Sequence, residues 1–170
     1  MITPTRELAN QVSDELYLYG RNSHVRTVTI YGGRSYTRQI DLVRRGAQIV
    51  VATPGRLLDM LTKNMIKDFT PGMVILDEAD EMLDMGFLDD INEIFEHLPK
   101  ERQTLLFSAT MPPPIKKLAD RILKEPTYIS ITKEETTNTN ISQNYYVIDE
   151  NERDDAMIRL LDADETNKAV

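Results

Sequence analysis

The chain has 170 residues, 41% hydrophobic and 28% charged, with 20 Lys and Arg against 28 Asp and Glu for a net charge of −8. It is too apolar for a disordered chain and long enough for one globular domain with part of another. Without cysteine there is no disulfide, thiol nucleophile or zinc–thiolate site, and two isolated histidines, His24 and His97, do not make a metal site alone. No apolar run reaches the ~18 residues of a membrane span, and no basic stretch precedes an apolar core at the start. A cytoplasmic protein with no membrane contact is expected.

Charge is unevenly spread. Residues 1–56 hold eight arginines and four acids, whereas residues 74–98 hold nine acids and neither Lys nor Arg. A chain that wrapped nucleic acid with its whole surface would be basic, so any phosphate contact should be local and arginine-based.

In chain order, Met1-Ile2 reads as the end of a strand entering a Thr3-Pro4-Thr5 turn, followed by a helix over Glu7–Tyr19. A strand is predicted at Val25–Tyr31, then Gly32-Gly33, then a helix at Tyr36–Arg45. Strand Gln48–Ala52 leads through Thr53-Pro54 to helix Gly55–Thr62, and strand Met73–Asp77 precedes helix Phe87–Leu98. Strand Thr104–Phe107, helix Pro114–Leu123 and strand Tyr128–Ile131 complete the series. Ile-Val-Val and Val-Ile-Leu are apolar on both faces, as in a parallel sheet covered by helices on each side, so the expected fold is α/β and doubly wound. Thr132–Asn140 is polar throughout and reads as a linker. Beyond it come a strand at Ile141–Ile148, a helix at Asn151–Leu161 and the opening of a strand at Lys168–Val170.

The strand ending Val-Ile-Leu runs into Asp77-Glu78-Ala79-Asp80. Carboxylates there stand at the carboxyl edge of a parallel sheet, where open α/β folds place ligands. Asp77 can hold Mg²⁺, directly or through water, and Glu78 can orient or deprotonate a water that attacks a phosphate. Ser108 and Thr110 follow the next strand, within reach of those acids if the strands are neighbours. The bland alternative is an N-cap for the helix that follows. Thr5-Arg6-Glu7 and Thr53-Pro54-Gly55-Arg56 each lie at a strand-to-helix junction, where free helical N–H groups, hydroxyls and an arginine fork converge on an anion. Gly32-Gly33 fits either close backbone approach to a ligand or an ordinary turn. Met82, Leu83, Met85 and Phe87 read as packing.

Pro4-Thr5-Arg6-Glu7-Leu8-Ala9, Gly32-Gly33, Thr53-Pro54-Gly55-Arg56, Asp77–Asp80 and Ser108-Ala109-Thr110 stand in the order and approximate spacing of DEAD-box RNA helicases, which the chain resembles along essentially its whole length. The resemblance implies a first RecA-like, P-loop NTPase-type domain over 1–134, a linker at 135–140 and the start of a second RecA-like domain over 141–170. It implies ATP and Mg²⁺ as cofactors and single-stranded or locally duplex RNA as a partner bound with little sequence preference. Catalysis falls to Glu78 and Asp77, with Asp77 on the magnesium. Coupling of nucleotide state to strand separation falls to Asp80, Ser108 and Thr110. RNA contact falls to Pro4, Thr5, Arg6, Glu7, Gly32, Gly33, Thr53, Pro54, Gly55 and Arg56.

No glycine in the chain is followed by lysine, so the phosphate-binding loop of such an ATPase is absent from the sequence. The adenine-reading glutamine segment before that loop and the arginine motifs of the second domain are missing too. The chain by itself is therefore expected not to hydrolyse ATP, and a module that grips RNA or a partner without turnover is the alternative reading. Lacking a central strand, the isolated chain is further expected to be marginally stable or to aggregate; a sharp cooperative melt of a monomer in dilute buffer would contradict this.

Overall fold

A computed structural model describes residues 1–131 and 145–163. The chain divides into two compact units, Met1–Thr127 and Tyr128–Val170. In the first unit the elements are α1 (Arg6–Gly20), β1 (Thr27–Ile30), α2 (Tyr36–Arg44), β2 (Ile49–Ala52), α3 (Pro54–Thr62), β3 (Met73–Leu76), α4 (Ala79–Asp84), α5 (Leu88–His97), β4 (Gln103–Leu106) and α6 (Pro113–Ile122). The expected α/β alternation is present, with element ends shifted by a few residues.

The strands form two parallel pairs, β1 with β2 and β3 with β4, in registers Ile30–Ala52 and Leu76–Leu106. The amino-terminal segment joins them: Ile2 bridges in parallel to both Ala52 and Leu76. Its N–H donates to the Ile75 carbonyl at 2.8 Å, and the Thr3 N–H donates to the Ala52 carbonyl at 3.0 Å. In return the Asp77 N–H donates to the Ile2 carbonyl at 3.0 Å and the Ala52 N–H to the Met1 carbonyl at 2.9 Å. Met1-Ile2 thus supplies the strand end that its sequence predicts.

Strand alternation sorts the apolar residues onto two faces. Val50, Ala52, Val74, Leu76 and Leu106 face the larger core with Ile30 and Ile2, and helices α3, α5 and α6 bring Leu57, Met60, Ile91, Ile94, Ile115 and Leu118 against it. On the opposite face Ile49 and Val51 join Tyr31 beneath Ala9, Val12 and Leu16 of α1. Helices therefore lie on both faces, but unequally. Over β3 and β4 the second face is thinly covered: Ile75 and Leu105 are only half-buried, and Met73 is exposed. No helix among the described residues is long and apolar enough to cross a membrane.

Three expectations change. Tyr128–Ile131 is not a strand but an irregular, exposed segment, with Ile129 86% and Ile131 92% accessible; a β-branched run becomes a strand only where it enters a ladder. Of Ile141–Ile148, residues 141–144 lie outside the described part and Tyr145–Ile148 has no regular structure. Asp77–Asp84 holds a short helix, α4, that sequence reading passes over because its charges obscure the buried Ala79 and Met82 three residues apart. Met82, Leu83 and Phe87 do pack into the core, whereas Met85 is exposed. The predicted linker, Thr132–Asn140, and Lys168–Val170 lie outside the described residues. In the second unit a 3₁₀ turn, Glu150–Glu152, opens α7 (Arg153–Ala163), where the sequence predicts Asn151–Leu161.

Leu76 is fully buried and pairs beside Ile2, while Met73 on the same strand is half in water. Leu76→Ala should lower unfolding stability by about 2–5 kcal/mol in urea titration, and Met73→Ala by about 0.5 kcal/mol or less. Equal midpoints for the two variants would contradict this assignment of core and surface.

Candidate nucleotide and nucleic-acid site

Because all the strands are parallel, every segment that follows one emerges at the same edge of the sheet. Thr3-Pro4-Thr5, Gly32-Gly33, Thr53-Pro54, Asp77-Glu78 and Phe107–Thr110 all begin there.

At the acidic end, the Asp77 backbone is the last rung of the ladder to the amino-terminal segment. Glu78 then takes a left-handed conformation, φ 55° and ψ 53°, and its side chain is exposed. That backbone costs a non-glycine residue about 1–3 kcal/mol and persists only where its flanks are fixed. They are: the Asp77 N–H is bonded on one side, and on the other the Ala79 N–H donates to the Phe107 carbonyl at 3.1 Å, with Ala79 buried. The chain turns at Glu78 into α4 and leaves this residue exposed just past the strand tip. Neither Asp77 nor Glu78 makes a side-chain hydrogen bond to another described residue.

Asp80 is differently placed. Its Oδ2 accepts from the Thr110 N–H and from Thr110 Oγ1, both at 2.9 Å, and its own N–H donates to Ser108 Oγ at 3.1 Å. Partial burial pushes its carboxyl pKa upward, but the bonds from Thr110 and Ser108 outweigh this and hold it below the ordinary value. The structure thus brings Asp80, Ser108 and Thr110 together across the β3–β4 pair. The N-cap alternative for Ser108 does not hold, since α6 is capped by Pro112 without a side-chain bond.

On the arginine side, Thr5 caps α1 by accepting from the Leu8 N–H at 3.1 Å, so its hydroxyl is engaged within the chain. Arg6 forms no ion pair among the described residues; its guanidinium lies over the Gly32-Gly33 turn. A Cβ on Gly33 would stand 2.9 Å from Arg6 Nη1, and Gly33 has φ 86°, so only glycine lets the arginine settle there without strain. Glu7 is exposed in the first turn of α1, and Pro4 is buried beneath it. In the second junction Thr53 and Pro54 are buried, with Thr53 capping α3 by backbone alone, and Gly55 is exposed. Arg56 is no free first-turn side chain: its Nη1 donates to the Arg34 carbonyl at 3.0 Å, and its guanidinium stacks on Tyr36.

The loop that meets both arginines is held by Gln39, which sequence reading misses. Buried at 4% exposure, its Oε1 accepts from the Tyr31 N–H at 3.1 Å, and its Nε2 donates to the Tyr31 carbonyl at 3.2 Å. The signal was a glutamine on the apolar face of α2, one position before Ile40. Among the described residues no three His, Cys, Asp or Glu side chains gather as a metal cage.

Folding lowers the pKa of Asp80, so its carboxylate contributes stability above the ordinary value of 3.8, and that contribution is lost as pH falls through the folded value. The stability advantage of the native chain over Asp80→Asn, read from urea midpoints, should therefore be full at neutral pH and shrink as the pH is taken below the ordinary value of 3.8. A difference that does not change with pH would contradict the assignment.

Residues 1–118 match the DEAD/DEAH box helicase family. The chain is 54% identical over all its 170 residues to the DEAD-box ATP-dependent RNA helicase RhpA of Helicobacter pylori, covering 35% of that protein. It is 46% identical, again over its whole length, to CshA of Bacillus subtilis, covering 34%. Among solved structures, a DEAD box protein from Methanococcus jannaschii superposes with a TM-score of 0.73 at 43% identity, over 94% of this chain and 43% of that one. A hypothetical ATP-dependent RNA helicase from Sulfolobus tokodaii gives 0.68 at 45% identity, over 73% and 37%. The chain spans about a third of the length of the curated relatives it matches. With its acid-tipped strand, its Ser-Ala-Thr turn and its two arginine junctions on one sheet edge, it belongs to the DEAD/DEAH box helicase family.

Proposed function

We propose that this chain serves an ATP-dependent RNA helicase in the cytoplasm, where hydrolysis of Mg²⁺-bound ATP is coupled to gripping RNA and opening short duplexes. The relatives RhpA and CshA carry the name ATP-dependent RNA helicase. The observation that carries the reading is the bonding of Asp80 to Ser108 and Thr110: it ties the turn bearing Glu78 to the loop after β4.

Magnesium in phosphoryl-transfer sites keeps several waters and needs only one or two carboxylates plus the substrate's phosphates. Asp77 at the strand tip, with its side chain free of other described residues, fits that mode; a closed protein cage is neither present nor required. Bound there, the ion would neutralise charge developing on the phosphates. Glu78 accepts the proton of the attacking water at its exposed carboxylate, and its fixed left-handed backbone sets where that carboxylate stands. The two arginine junctions supply local positive charge and free helical N–H groups for consecutive phosphates of one strand, so binding follows the backbone and not the bases.

A chimera in which this chain replaces the matching third of RhpA provides the remaining helicase parts for a turnover assay. Glu78→Gln in that chimera should leave ATP and RNA binding intact while turnover falls by at least about 100-fold, the scale of lost general-base catalysis. Unchanged turnover would remove Glu78 from the mechanism.

A further inference from the structure

The loop between β1 and α2 reaches Arg56 through Tyr36. The Arg56 Cζ lies 3.9 Å from the centre of the Tyr36 ring, a close cation–π stack, and Arg56 Nη1 is bonded to the Arg34 carbonyl. The ring is itself held. Its hydroxyl donates to Asp59 Oδ2, and Asp59 Oδ1 pairs with Lys63 Nζ at 2.5 Å, one turn further along α3. Lys63 also faces the ring, at 5.8 Å.

The charges in this cluster are matched unequally. Asp59 is engaged by Lys63 and by the Tyr36 hydroxyl, and its carboxyl pKa is lowered, by the Lys63 bond first and the Tyr36 bond second. Arg56 forms no ion pair among the described residues. Stacking engages the flat face of a guanidinium and consumes none of its five N–H donors, and one carbonyl consumes a single donor, so most remain for an anion. An unrestrained arginine in the first turn of an exposed helix would have to be ordered each time it met a phosphate; this one is ordered beforehand.

We propose that Tyr36 and Asp59 are positioning residues for RNA binding: the Tyr36 ring, locked by Asp59, is the shelf that presents Arg56 to the RNA phosphate. The proposal rests on the reading of Arg56 as an RNA contact. It accounts for an aromatic ring with only part of its surface in the core, and for a carboxylate beside an anion site whose bonds go to Lys63 and Tyr36 and not to Arg56.

The test is a double-mutant cycle for binding of single-stranded oligo(U) and oligo(A), by anisotropy across a salt series, on the full chain and on the RhpA chimera. Arg56→Ala should weaken both oligonucleotides about tenfold and lower the salt slope. Tyr36→Leu should cost about fivefold and lower the slope in the same direction, and Tyr36→Phe, which keeps the ring but loses the bond to Asp59, should fall between native and Tyr36→Leu, together with Asp59→Ala. The double variant Tyr36→Leu/Arg56→Ala should bind no more weakly than Arg56→Ala alone, because the ring acts only through the arginine. If Tyr36→Leu fails to fold, Asp59→Ala, which leaves the core atoms in place, takes its position in the cycle. Losses that multiply, or full affinity and slope in both Tyr36→Leu and Asp59→Ala, would overturn the positioning role while leaving the RNA contact standing. Unaltered binding in Arg56→Ala would overturn the RNA reading and the proposal together.

Discussion

The arrangement depends on a three-residue ladder. Met1–Thr3 lies between β2 and β3 and exchanges backbone hydrogen bonds with both, so two separate parallel pairs become one surface with one carboxyl edge. A two-stranded parallel pair is weak by itself and has two exposed edges. Joined at Ile2, the pairs bury Ile2, Ala52 and Leu76 almost completely, and this fixes the register of everything that follows the strands. A one-residue slip would turn Leu76 to the thinly covered face and move Asp77 off the tip. The placement of acids and arginines on one edge is thus a consequence of backbone pairing at buried positions far from any phosphate.

Two arginines far apart in sequence, Arg6 and Arg56, meet the same short loop. Gly33 accepts the first by lacking a Cβ, and the Arg34 carbonyl and Tyr36 ring accept the second. Gln39 fixes that loop by bonding to both backbone groups of Tyr31, the kind of pairing a neighbouring strand would otherwise provide. Leaving those groups unmet in a buried place would cost about 1–3 kcal/mol each, so a single buried glutamine is well suited to hold the platform.

What could be read from the residues follows from which forces are local. Strand runs such as Ile49–Ala52 and the α6 stripe Ile115, Leu118, Ala119 and Ile122 show their period directly, and both form as expected. The strand-tip position of Asp77 follows from the same arithmetic. The left-handed turn at Glu78, the Gln39 anchor and the Tyr36 stack do not, because each depends on a partner distant in sequence: Phe107, Tyr31 and Arg56. Tyr128–Ile131 fails for the opposite reason: its composition is strand-like, but composition does not supply a ladder. The Ser108–Thr110 segment lies in between. Its hydroxyls were recognisable, but the choice of Asp80 as their acceptor depends on β4 lying beside β3.

That adjacency limits how the acidic edge can move. Between Leu76 and Asp80 the chain makes three successive attachments: Asp77 to Ile2, Ala79 to Phe107, and Asp80 to Ser108 and Thr110. Asp77 and Glu78 make no side-chain hydrogen bond to another described residue, and of the two Glu78 has the left-handed backbone. A displacement of the loop after β4 must therefore either break the bonds to Asp80 or carry the turn with it, and in the second case the strained residue has the least to lose by rotating. Strain at Glu78 and satisfaction at Asp80 are complementary: one residue is held in a costly backbone conformation, and the residue two further on is fixed by its bonds to Ser108 and Thr110.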